Sequence, residues 1–196
     1  IFIRDFDKVN SIYNKRELVF DIILPFLNLM SSENTWKSIP TGKREFLNHY
    51  LSKKIIEFSS NPSITPKNQN QKVFLLDIFP FNYSLGCPLA LLLSSFHNIE
   101  VYYFSQDVLN ATISEIIREE ESPLIILNLE KKGAFDETEF KGIKESIIAS
   151  SLLQKQRIYL FNTHPTIKKD SIKEPLFNVI NSYEELEQTF ITFSEE

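Results

Sequence analysis

The sequence predicts an α + α/β protein, a small helical bundle followed by a doubly wound sheet of five parallel strands, and three observations carry that expectation. Apolar residues recur at helical spacing in the first third of the chain and gather into short solid runs after it. A polar stretch, Ser59 to Gln71, holds Pro62 and Pro66, has no apolar period and separates the two regimes. The solid runs then alternate with segments long enough for helices.

The elements follow in order. In residues 1–60 the helical series are Phe6, Val9, Ile12 and Tyr13, then Leu18, Ile22, Phe26 and Leu29, then Leu47, Leu51, Ile55 and Phe58. They read as a helical, cap-like bundle. Pro25 lies inside the second series and is expected to kink it, since it cannot donate to the preceding turn. The stretches Ser31–Thr35 and Pro40–Gly42 break the helices on either side of Trp36. Residues 61–71 form the linker, and residues 72–196 the α/β part. Its strands are expected at Val73–Ile78, Ile99–Phe104, Pro123–Leu129 and Arg157–Asn162, each rich enough in branched and aromatic residues to be buried on both faces. A weaker fifth strand spans Leu176–Ile180. Helices are expected at Ser84–His97, Gln106–Glu120, Asp136–Gln154 and from Ser182 to about Phe190. Crossovers of this length imply right-handed units on a parallel, flavodoxin/Rossmann-like sheet. Any ligand would then sit beyond the carboxyl ends of the strands, where the strand order reverses.

Composition narrows the function classes. The chain has 196 residues, 42% of them hydrophobic, enough for a substantial core. Its 21 Lys and Arg against 26 Asp and Glu give a net charge of -5, with no basic stripe for a phosphate backbone. No window is apolar enough to span a membrane and no secretory signal is visible, so a cytoplasmic location is expected. One cysteine and 3 histidines point away from disulfides and from a metal centre built by the chain alone. Only 4 glycines stand against 17 phenylalanines. The absence of an initiating methionine suggests a piece of a longer protein.

The loop after the first strand, Phe79–Gly86, is not a dinucleotide fingerprint, because Gly86 is its single glycine and aromatic residues surround it. Pro88 falls in the first turn of the helix that follows, where its missing donor is harmless, and Ser84 is the expected cap. At this point a family resemblance appears. The run Tyr83-Ser-Leu-Gly-Cys-Pro-Leu-Ala-Leu-Leu-Leu93, followed by a strand ending in Tyr102-Tyr-Phe-Ser-Gln-Asp107, resembles the cobalamin-binding α/β domain of corrinoid proteins and light-sensing MerR-type transcription regulators. The bundle resembles that family's helical partner domain, in which a tryptophan precedes Glu-His by about ten residues; here Trp36 precedes Glu45 and Phe46. The likeness runs from about Phe6 to Phe190.

The resemblance implies a cobalamin site whose defining positions this chain has changed. The family carries Asp-x-His-x-x-Gly at the first loop, with the histidine on cobalt and the aspartate orienting it. Aligning Gly86 puts Phe81 at the aspartate and Tyr83 at the histidine. Asn128 stands for the family's serine, and Asn162 and Thr163 for its paired glycines. These side chains enter space that the family leaves for a nucleotide tail, and overfilling a packed site costs about 1–3 kcal/mol. Phe46 replaces the cap's histidine. The expectation is therefore a degenerate pocket at Trp36, Glu45, Phe46, Phe81, Tyr83, Asn128, Asn162 and Thr163, with Phe46, Phe81 and Tyr83 filling the volume between bundle and sheet. No cofactor is expected, cobalamin included, because Tyr83 replaces the cobalt-ligating histidine.

The remaining candidates read as structural. Cys87 at a helix start is a small packed residue, with a sensor thiol as the sharper alternative. His164 follows the fourth strand without an evident acid-base partner. His49 sits on a helix, and His97 ends one, where a cation suits the dipole. Glu119–Glu121 is a solvated helix end. Paired catalytic carboxylates, a nucleophile elbow and metal-ligand spacing are absent from the sequence. The resemblance thus implies a non-catalytic sensor or effector and oligomerisation module of a MerR-type transcriptional regulator. It would be a homo-oligomer, would touch DNA only through an N-terminal domain upstream of Ile1, and would answer to an unidentified small molecule or protein. The rival expectations are a corrinoid-binding carrier subunit of a methyl-transfer system and a nucleotide-binding enzyme using the same crevice.

Overall fold

The computed structural model describes residues 8, 12–31, 38–59, 72–77, 85–97, 99–104, 124–129, 141, 145, 157–161 and 177–195. In chain order they form α1 (Lys15–Glu17), a π-helical stretch (Leu18–Ile23), α2 (Leu24–Ser31), α3 (Thr41–Ser59), β1 (Lys72–Asp77), α4 (Gly86–Phe96), β2 (Glu100–Phe104), β3 (Leu124–Asn128), β4 (Arg157–Phe161), β5 (Phe177–Ile180) and α5 (Tyr183–Glu195). The five strands make one sheet in the order β2-β1-β3-β4-β5, every neighbouring pair parallel. The predicted α + α/β architecture is the observed one.

Local chemistry accounts for the element ends. Asn14 caps α1 in a reciprocal box: its Oδ1 accepts from Glu17 N–H at 2.9 Å, and its own N–H donates to Glu17 Oε2 at 3.0 Å. Pro25 follows the π-helical stretch. A proline ring crowds the carbonyl four residues back and offers it no donor. The chain meets both constraints by widening the turn before it, so that Leu24 N–H reaches Val19 C=O, five residues back. The Pro25 irregularity expected from the sequence thus appears as a local widening. At α4 the N-cap position falls on Leu85 without a side-chain cap, in place of the expected Ser84. The last helix runs on to Glu195, past the expected end near Phe190, because Phe193 is also buried. Ser182 Oγ accepts from Glu185 N–H at 3.1 Å and starts that helix.

Burial refines the periodic series. Leu18, Leu51 and Ile55 are buried, with Ile22, Phe26, Leu47 and Phe58 packed against them. Ile12 and Tyr13, members of the first helical series, are 75% and 39% exposed. Phe6, Val9 and the side chain of Leu29 lie outside the described residues, as do the predicted helix at 106–120 and, apart from Lys141 and Glu145, that at 136–154. Strands β1 and β3 are buried along almost their whole length, as their solid runs predict. β2 is only half-buried, contrary to expectation, because among the described strands it lies at the sheet edge, next to β1 alone.

One core joins the helical part to the sheet part. α4 buries Gly86–Ala90 and Leu92–Ser94, so it is apolar almost all round and needs cover on two sides. Strands β1 and β2 cover one side, and α3, through Leu51 and Ile55, packs with the π-helical Leu18, Val19 and Ile23 into the same cluster. Among the described residues no helix is long and apolar enough to cross a membrane.

Candidate functional site

In this strand order the reversal falls between β1 and β3, so the crevice of interest lies at the carboxyl ends of those two strands. Asp77 ends β1, Asn128 ends β3, and the two are register partners. Two more groups reach the same point. Tyr103 comes from β2, next to β1, and Cys87 from the first turn of α4.

These four side chains form a buried hydrogen-bonded hub. Asp77 Oδ1 accepts from the Cys87 thiol at 2.9 Å and from Asn128 Nδ2 at 2.6 Å, while Oδ2 accepts from the Tyr103 hydroxyl at 2.6 Å. Asp77 is 7% exposed and Asn128 1%. Burying a carboxylate requires donors in place of its water, and among the described residues three side-chain donors take that place. Burial, and then the bond to Asp77, push the Tyr103 phenol far above its ordinary range, so it remains a donor at every physiological pH.

Chemically the hub is an acceptor whose partners are already present. Cys87 is 1% exposed and its thiol proton is directed at Asp77, which fits the packed reading of that residue. No cluster of three or more His, Cys, Asp or Glu side chains suited to a metal occurs among the described residues. The hub ties β1, β2, β3 and the start of α4 together where a ligand of this fold would approach.

The residues expected at the pocket distribute unevenly. Asn128 is at the crevice, its amide committed to Asp77. Glu45 and Phe46 are on the exposed side of α3, and Phe46 is 60% exposed with its ring stacked on Tyr50 at 6.4 Å. Phe46 therefore does not fill a space between bundle and sheet. The reason is helical phase: Leu47, Leu51, Ile55 and Phe58 make the inward stripe of α3, and Phe46 falls a third of a turn to its side. Trp36, Phe81, Tyr83, Asn162, Thr163 and His164 lie outside the described residues. His49 is exposed. His97 does end α4, but burial, the larger effect, holds its imidazole below its ordinary value, so it is uncharged at neutral pH and does not serve the helix dipole as a cation.

Two hub members, Asp77 and Tyr103, were not among the sequence candidates. A signal for Asp77 existed. It is the one charge closing the apolar run Val73–Leu76, at the end of the strand beside the reversal. Comparison with family models, curated proteins and solved structures finds no match to this chain.

Proposed function

We propose that this chain is a non-catalytic sensor or effector and oligomerisation module of a MerR-type transcriptional regulator, with a cobalamin crevice that no longer takes the cofactor in the family's manner. DNA contact would come from a separate winged-helix domain, which accords with the net charge of -5 here. The observation that favours this reading over a cofactor carrier or an enzyme is the Asp77 hub. Among the described residues at the strand ends where ligand contacts belong, Cys87, Tyr103 and Asn128 each donate to the buried Asp77 carboxylate. The continuous core through α3 and α4 supplies the other half of the reading, because a change at one face of α4 reaches the helical part directly.

Such a module acts by differential assembly: an effector shifts the population only as far as it binds one assembly more tightly than another. The experiment is incubation with hydroxocobalamin followed by gel filtration with absorbance and light-scattering detection. The expected outcome is a colourless protein peak at a mass above the monomer. A cobalamin spectrum co-eluting with the protein would return the carrier reading, and a strict monomer would remove the assembly role.

A further inference from the structure

Glu187 of α5 has a side chain only 8% exposed, and groups from two distant parts of the chain converge on it. Arg16 of α1, 171 positions away, donates Nε–H to Oε1 at 2.8 Å and Nη2–H to Oε2 at 3.1 Å. His97, at the end of α4, holds Nε2 at 3.8 Å from the same Oε1, beyond hydrogen-bond reach, and this buried nitrogen has no hydrogen-bond partner among the described residues. The two bases differ in their access to water: the Arg16 side chain is 63% exposed and that of His97 is 19% exposed. In the same position the Arg16 guanidinium carbon lies 4.9 Å above the Phe20 ring of its own helical segment.

We propose that Glu187 is the exchange point of a proton-operated clasp, in which His97, on taking a proton from solvent, draws Glu187 away from Arg16 and loosens the N-terminal helical segment from α5. A neutral imidazole has one N–H, whereas the protonated ring donates from both nitrogens and carries a positive charge, with Nε2 3.8 Å from Oε1. One carboxylate then faces two cations. The exposed guanidinium can take water in place of Glu187 while keeping Phe20; the imidazolium, largely enclosed, cannot.

The charges acting on His97 are Glu187 from α5, which favours the protonated ring, and Arg16 from α1, which opposes it. The other elements packed on α4, namely α3, β1 and β2, add none among the described residues. Desolvation, the largest effect, acts with Arg16 against Glu187 and moves the transition below the ordinary imidazole value, so the clasp is closed at neutral pH and opens on acidification. This inference stands whether or not the chain belongs to a regulator.

The test is an NMR titration of the His97 ring in the wild type, Arg16→Ala and Glu187→Gln, with amide exchange of Leu18–Ile23 followed from neutral to mildly acidic pH. The His97 pKa is expected to rise in Arg16→Ala and to fall in Glu187→Gln. Amide protection, corrected for intrinsic exchange, is expected to drop on acidification in the wild type and to stay level in His97→Gln. A His97 titration indifferent to both variants, or a drop in protection that persists in His97→Gln, would overturn the proposal.

Discussion

Asp77 and Asn128 end two adjacent parallel strands as register partners, and the Asn128 amide donates to the Asp77 carboxylate at 2.6 Å. The pair closes the sheet at the point where its strand order reverses. Asp77→Ala should leave the Cys87, Tyr103 and Asn128 donors without their acceptor and cost about 2–4 kcal/mol. Urea unfolding checks it, as a lower midpoint with an unchanged slope.

Asn128→Asp tests the same contact through charge. Two carboxylates at that spacing cannot both ionise in a buried place, so one of them should hold its proton well above the ordinary carboxylate range. A group whose folded pKa is raised above its unfolded value stabilises below the unfolded value and loses that contribution as pH rises through the folded one. The variant should therefore become more stable relative to wild type on going from neutral pH toward the carboxylate range. Urea midpoints at several pH values would show this, and a variant that tracks the wild type throughout would contradict the contact.

Tyr103 gives an alkaline counterpart. Its folded pKa is raised, by burial first and then by the bond to Asp77, so its contribution is complete below the unfolded value of about 10 and declines above it. Absorbance titration of the phenolates should find one tyrosine fewer ionising with the rest in the wild type than the tyrosine count predicts, and that deficit should vanish in Tyr103→Phe. Removing the hydroxyl should also cost about 1–2 kcal/mol at neutral pH, since the ring packing is kept and a bond to a charged acceptor is lost.

His97 should shape the acid limb. Its folded pKa lies below the unfolded value of about 6.5, so protons bind the unfolded chain more readily. Stability should fall as pH drops below that unfolded value and level off beneath the folded one. Thermal midpoints measured across this window should decline less steeply in His97→Gln than in the wild type.

The shared core makes a prediction about cooperativity. Leu51 of α3 and Leu89 of α4 are buried to 1% and 0% exposure within one cluster. Leu51→Ala and Leu89→Ala should each cost about 2–5 kcal/mol. Both should lower the same single calorimetric transition. Two separable transitions, with Leu51→Ala moving only one of them, would show that the helical part folds alone.

Much of this was legible in the residues. The strands were found within a residue or two at each end, because a solid run such as Leu124–Leu127 has few other ways to bury every side chain. The inward stripe of α3 was found because Leu47, Leu51, Ile55 and Phe58 repeat at the helical period. The same period puts Phe46 beside that stripe, which is why it is exposed whatever its place in the family resemblance. The all-round apolar face of α4 was readable too, and it already required cover on two sides.

For the described elements the sequence alone therefore determined the strands, their order and the parallel character of the sheet, all of which follow from local period and crossover length. Tertiary structure alone decided which polar residues meet. Asp77 finds Tyr103 and Asn128 through strand register, at separations of 26 and 51 positions, and Glu187 finds Arg16 across 171. Hydrogen bonds of this kind have no local signature: a carboxylate reads the same in sequence whether its donors are water or side chains brought from elsewhere, and packing of the sheet and its covering helices selects between them.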